Sequence, residues 1–157
     1  MEVFGKPTLH PLPFYSGKIA GYATWIYLAL VLSGHNPFEG EYYPSTRLAA
    51  LILAGAGIAI SGLSLINLGR STRFGLPTHN TRLKVHGIYR FSRNPMYTGF
   101  DLLTLASIVI TFYPPVIIAG VYSIVIYHLI IKAEERFLES KFGSEYNDYK
   151  SRTRRYL

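Results

Sequence analysis

Four apolar stretches punctuate the chain, three of them uncharged. Ile19–Ser33, Leu48–Leu68 and Val116–Ile131 contain no Asp, Glu, Lys or Arg, and Met96–Tyr113 contains Asp101 alone. Their apolar residues are clustered rather than confined to one face, as expected of helices surrounded by hydrocarbon. Leu48–Leu68 is long enough to cross ~30 Å of lipid. Tyr113-Pro114-Pro115 separates the last two stretches. Proline cannot continue a helix, so a tight turn between antiparallel helices is expected there. The pattern predicts an all-α polytopic membrane protein, one domain over residues 1–157. Its spans are near 19–33, 48–68, 96–113 and 116–131, with short cytoplasmic helices at the C-terminal end. Four such stretches in a soluble protein of 157 residues would leave too little polar surface to cover them.

Within the second stretch, Ala50, Ala54, Gly57 and Ser61 fall on one helix face, and Gly55, Ala59 and Gly62 fall beside it. Small faces let backbones approach closely in lipid. A dinucleotide-binding reading of Gly55-x-Gly57 fails, because the third glycine position is Ile60.

Charge then sets orientation. Residues 70–95 carry Arg70, Arg73, Arg82, Lys84, Arg90 and Arg93 with no acid, and residues 132–157 carry seven Lys and Arg. The loop after the first stretch has Glu39 and Glu41 and no base before Arg47. Positive and non-positive connections alternate, so both termini and the 70–95 segment are expected on the cytoplasmic side. The membrane would be the cell membrane in a prokaryote or the endoplasmic reticulum in a eukaryote. The net charge of +7 thus reads as a topology signal, and nucleic acid is not an expected partner. The first stretch reads as an uncleaved helix, since no small-x-small site clearly follows it. There is no cysteine, which excludes disulfides, thiolate nucleophiles and cysteine-ligated metals. The histidines His10, His35, His79 and His86 show no ligand spacing, and no metal is expected. Oligomeric state is left open.

The two basic segments carry the candidate chemistry. In the first, Gly87 permits a turn. Asn94-Pro95 starts the third helix, with Asn94 as its cap and Pro95 near its first position. In the second, Glu134 and Glu135 lie within a turn of the fourth stretch. Ile130, Phe137, Leu138 and Phe142 form an apolar stripe, and Gly143 is a helix stop.

Gly87-x-Tyr89 and Arg93-Asn94-Pro95-x-Tyr97-x-Gly99 form the first half of a longer pattern. Glu134-Glu135-x-x-Leu138-x-x-x-Phe142-Gly143-x-x-Tyr146-x-x-Tyr149 forms the second. In this order, and separated by a helical hairpin, these motifs resemble the isoprenylcysteine carboxyl methyltransferase and phospholipid methyltransferase superfamily of integral-membrane, S-adenosylmethionine-dependent enzymes. The resemblance covers residues 83–149. It implies a cytoplasmic cofactor pocket lined by Thr81, Arg82, Leu83, Lys84, Tyr89, Asn94, Pro95, Met96, Tyr97 and Glu134. Two positions depart from the prenylcysteine enzymes. Asn94 stands where many of them carry histidine. Ile130 stands where they carry the arginine that faces the substrate carboxylate.

The expected activity is methyl transfer from S-adenosylmethionine to a small or lipophilic acceptor reached through the bilayer. Phospholipid N-methylation and thiol methylation are alternatives within the superfamily. A non-catalytic binding or assembly protein of the same fold is an alternative outside it. Methyl transfer is an in-line displacement that needs alignment and exclusion of water, and acceptors other than carboxylates and thiolates must lose a proton. His128, Asp101 and Glu135 are the candidates for that acceptor chemistry, because ionisable groups in or beside a span face the bundle interior by default. An Asp101–His128 structural pair is an equal alternative.

Overall fold

A computed structural model of the protein describes residues 9–35, 44–69 and 83–157. Among these residues five α-helices run in order: α1 Pro11–Leu32, α2 Arg47–Leu68, α3 Pro95–Thr111, α4 Pro114–Phe142 and α5 Ser144–Arg152. Short 3-10 turns at Pro44–Thr46 and Gly87–Arg90 precede α2 and α3. Among the described residues there is no strand, and one isolated parallel bridge joins Ser92 to Arg154.

Among the described residues two helices, α2 and α4, are long and apolar enough to cross a membrane, and α3, at 17 residues, is a shorter apolar helix. The outer faces carry large apolar side chains, among them Ile26 on α1, Ile52 and Ile58 on α2, and Ile118 on α4. Small and polar residues turn inward instead. Trp25 donates to Thr104 across 3.0 Å, and Ser107 donates to the Thr24 carbonyl across 2.7 Å. α4 has 29 residues, about 43 Å at 1.5 Å each, against ~30 Å of hydrocarbon. It is therefore longer than such a slab is thick, with its charged residues gathered in the part beyond Ile131.

The helix bounds have local causes. α1 starts at Pro11, earlier than the charge-free stretch suggests. His10 accepts the Leu12 amide at its start and a proline occupies its first turn, so the helix runs through Lys18. Phe112 takes a left-handed backbone (φ 48°) and Tyr113 caps α4, whose first turn holds the two prolines. Gly143 (φ 52°) ends α4 as expected.

Packing follows the small residues. Every buried residue of α2 is small: Ala50, Ala54, Gly57, Ser61 and Ser64. This face meets α3 at Gly99, where an added Cβ would lie 2.7 Å from the Gly57 carbonyl oxygen and against Ser61. The neighbouring positions Gly55 and Ala59 face outward. Two apolar clusters result. One joins Tyr27, Leu28 and Val31 to Ala54, Ile110 and Val116 at the hairpin end. The other joins Phe14, Tyr97, Ile126, Tyr127, Ile130 and Ile131. It lies where α3 begins and α4 leaves its apolar stretch, and it forms the floor of the site.

Candidate active site

The segment before α3 is shaped by one glycine. Gly87 has φ +63°, and a Cβ there would overlap the Asn67 side chain at the end of α2. The turn it permits folds Gly87–Arg90 into a 3-10 helix and buries Tyr89. The Tyr89 carbonyl accepts the Tyr149 hydroxyl from α5 at 2.7 Å. The chain then runs beside its own C-terminal residues. The Arg93 amide donates to the Arg154 carbonyl at 2.8 Å, and the Ser92 hydroxyl donates to the Arg155 carbonyl at 3.1 Å.

Glu135 holds these pieces together. It is 5% exposed. Its Oε1 accepts Arg93 Nε at 3.1 Å, Arg93 Nη2 at 3.0 Å and the Asn94 side-chain amide at 3.2 Å. Its Oε2 accepts Arg155 through Nε at 3.0 Å and Nη2 at 2.8 Å. Arg93 also donates to the carbonyls of Lys150 and Thr153. Burial alone would raise the Glu135 carboxyl, but Arg155 and Arg93 outweigh it and hold it below the ordinary carboxylate range. Asn94 sits at the α3 cap position without capping; its side chain turns to Glu135 and to the Arg155 carbonyl instead.

Glu134, one residue earlier, faces differently. Its Oε1 accepts the Tyr97 hydroxyl at 2.9 Å. Tyr89 lies close enough that burial, and then the Glu134 charge, push its hydroxyl up to about 12. Lys18 of α1 is the basic group whose charge acts on Glu134. A half-buried carboxylate, two phenols and an ammonium from four separate elements thus converge where α3 begins.

The expected site residues fall into three groups. Tyr89, Tyr97 and Glu134 come together, with Met96 and Pro95 on the first turn of α3 and Leu83 and Lys84 partly buried ahead of the glycine turn. Thr81 and Arg82 lie outside the described residues. Asp101 and His128 line a separate cavity between α3 and α4, and no hydrogen bond or ion pair joins them to each other. Glu135 faces the arginines. Among the described residues no cluster of His, Asp and Glu could hold a metal ion. Lys18, Arg155 and Tyr156 also belong to this region, and none of them was a site candidate in the sequence; Arg155 counted only among the basic residues that set orientation. Lys18 had one available mark, its place at the edge of a charge-free helix.

The family model described as phospholipid methyltransferase matches residues 45–145. A rice protein (Oryza sativa subsp. indica) named "Probable protein-S-isoprenylcysteine O-methyltransferase" is 30% identical over 117 residues, covering 71% of this chain and 60% of the relative. "Protein-S-isoprenylcysteine O-methyltransferase A" of Arabidopsis thaliana is 31% identical over 106 residues, covering 66% of this chain and 47% of the relative. The chain thus spans less than two thirds of the length of these curated relatives.

Proposed function

The chain belongs to the phospholipid methyltransferase family, and from that premise we propose that it is a four-span membrane enzyme transferring a methyl group from S-adenosylmethionine to a lipophilic acceptor. In this reading both termini and the site lie on the cytoplasmic side. The observation that carries it is the Glu134–Tyr97 hydrogen bond at 2.9 Å, beside Tyr89 and against the apolar cluster that includes Tyr97. A half-buried carboxylate flanked by aromatic rings fits a cationic ligand, because a carboxylate drawn partly out of water is stabilised by positive charge beside it. When bound, S-adenosylmethionine supplies a methyl group on a sulfonium and an α-ammonium, both cationic features of that kind.

The chain's own residues would then divide the work. Glu134 neutralises the ligand's positive charge. Tyr97 fixes the carboxylate by donating to it. Tyr89, protonated across the physiological range with its hydroxyl near 12, acts as a donor and never as a base. Lys84 and Lys18 provide cations for the ligand's carboxylate end. Glu135 positions the site by holding Arg93, Asn94 and the C-terminal residues in one register. That leaves acceptor contact to Asp101 and His128, one and two turns deeper.

The names of the rice and Arabidopsis relatives favour a second reading, carboxyl methylation of isoprenylcysteine. Ile130, buried and apolar, offers no charge to such a carboxylate. A transfer assay with methyl-labelled S-adenosylmethionine, run against membrane lipid extract, prenylcysteines and small thiols, separates the readings. Label in an extractable lipophilic product is expected; label in none of the three pools would defeat the proposal.

A further inference from the structure

Residues 154–157 lie across one end of the cavity of about 540 Å³ between α3 and α4. Tyr156 lines that cavity beside Thr98 and His128. Its hydroxyl meets His128 Nδ1 at 2.6 Å, and its ring stacks on the imidazole with centroids 6.2 Å apart. On either side of Tyr156 the chain meets solvent. Arg154 and Leu157 are exposed, and the Arg155 side chain is 35% exposed. Tyr156 therefore stands between the polar end of the cavity and water.

The bonds that hold this segment can be released without stranding the side chains beneath it. Ser92 and Asn94 donate to the Arg155 carbonyl at 3.1 and 3.4 Å, and Glu135 accepts the Arg155 guanidinium. Each keeps a second partner when the segment lifts. Ser92 Oγ still accepts the Asn94 amide at 3.1 Å, the Asn94 side chain still donates to Glu135, and Glu135 keeps Arg93 at 3.0 Å. A buried group that retains a partner escapes most of the cost of one left with none. What precedes the segment is fixed more firmly. Tyr146 and Tyr149 of α5 are buried, Tyr149 donates to the Tyr89 carbonyl, and Arg93 donates to the carbonyls of Lys150 and Thr153. The hinge thus falls after Thr153, which is already extended (φ −128°, ψ 133°).

We propose that residues 154–157 form a detachable strap that gates the α3–α4 cavity to water, with Arg155 as its latch on Glu135 and Tyr156 as its plug. Closed, the strap keeps the polar end of the cavity dry. Lifted at the hinge, it withdraws Tyr156 from His128 and opens a path for small water-soluble molecules that does not cross lipid. The two arginines on Glu135 have different duties. Arg93, 8% exposed, is the fixed one, and Arg155, 35% exposed, is the releasable one. Salt screens an exposed pair far more than a buried pair, so the latch and not the Arg93 pair responds to ionic strength. The gate does not depend on the methyltransferase reading. Within that reading, its closed state supplies the exclusion of water that transfer needs.

The test reads access and not turnover. Thr98→Cys puts a single thiol in the cavity of a chain without cysteine. The full chain in nanodiscs is reacted with a neutral, water-soluble maleimide, and the rate is followed by mass spectrometry. Thr98→Cys should react at least about tenfold more slowly than Leu157→Cys, since reagent enters only through local opening. Tyr156→Phe keeps the ring and removes the bond to His128, and should speed labelling of Thr98→Cys about fivefold, the value of one hydrogen bond. Arg155→Ala should speed it about twofold, the scale of a solvent-screened ion pair. Raising salt from about 0.05 M to about 1 M should speed labelling when Arg155 is present and not in Arg155→Ala. Ala106→Cys, at a fully buried position in the distant cluster, should stay unlabelled in every background, which separates the gate from general loosening. Thr98→Cys reacting as fast as Leu157→Cys, rates unchanged in both Tyr156→Phe and Arg155→Ala, the same salt response without Arg155, or Ala106→Cys labelled in step with Thr98→Cys would each overturn the proposal.

Discussion

Glu135→Ala is the substitution whose consequence can be worked furthest. In the native protein this carboxylate receives five donor contacts from Arg93, Asn94 and Arg155. The Arg93 side chain is 8% exposed and that of Arg155 35%, so the two losses are unequal. Removing one partner of a buried pair costs about 3–5 kcal/mol, because the other charge stays buried. Arg93 keeps the carbonyls of Lys150 and Thr153 as acceptors, which favours the low end of that range. The Arg155 contribution, screened by solvent, adds no more than about 0.5 kcal/mol. A net local cost of about 3 kcal/mol raises the opening of this junction roughly a hundredfold. Hydrogen exchange in detergent reads it directly. The Arg93 amide, bonded to the Arg154 carbonyl at 2.8 Å, should exchange about a hundredfold faster, as should residues 150–156. Amides of α3 near Ala106 and Ile110, in the distant cluster, should not change. Glu135→Gln keeps the volume and part of the bonding, and should fall between. Wild-type protection of the Arg93 amide in Glu135→Ala would refute the assignment of this residue as the clamp.

The remaining expectations are smaller. Gly99→Ala should destabilise by about 1–3 kcal/mol through overpacking, since its Cβ would meet the Gly57 carbonyl and Ser61. Gly55→Ala, which meets nothing within 4 Å, should melt at the same temperature as wild type or higher. Tyr97→Phe removes the donor to Glu134 and should weaken S-adenosylmethionine about fivefold by calorimetry, the value of one hydrogen bond. Because the Glu135 carboxyl is lowered in the folded state, its stabilisation is complete above the unfolded value and is lost as pH falls through the folded one. A spin label at Leu157→Cys, specific in a chain without cysteine, should therefore gain mobility below about pH 4 and not between pH 6 and 8. Thiol labelling should place His86→Cys and Leu157→Cys on one side of the membrane and His35→Cys on the other; an external His86→Cys would reverse the orientation.

Much of the scaffold was legible because its determinants are local. The Pro114-Pro115 turn, the stop at Gly143 and the turn at Gly87 each depend on the backbone preferences of one or two residues, and each forms where those preferences lie. The small face Ala50, Ala54, Gly57 and Ser61 is buried as a set, because only small side chains let α2 approach Gly99. The start of α1 was misplaced by reliance on charge. A helix continues through Lys18 when its proline start is seven residues upstream. The Asn94 side chain followed a tertiary demand over a local one: capping competes with Glu135, and the buried carboxylate wins. Likewise, the roles of Arg155 and Tyr156 arise from contacts across twenty or more residues, which no spacing along the chain encodes. The adjacent glutamates were both legible as candidates. Their different surroundings were not, since neighbours on a helix point about 100° apart and meet different elements.

The central claim is that Glu134, Tyr97 and Tyr89 form a site for S-adenosylmethionine. Isothermal titration of the full-length chain in detergent with that compound tests it most directly. The account predicts saturable binding to the wild type and at least about a tenfold loss of affinity in Glu134→Ala, the scale expected when a half-buried, hydrogen-bonded charge partner is removed. No binding to a folded wild-type protein, or the same affinity in Glu134→Ala, would contradict it.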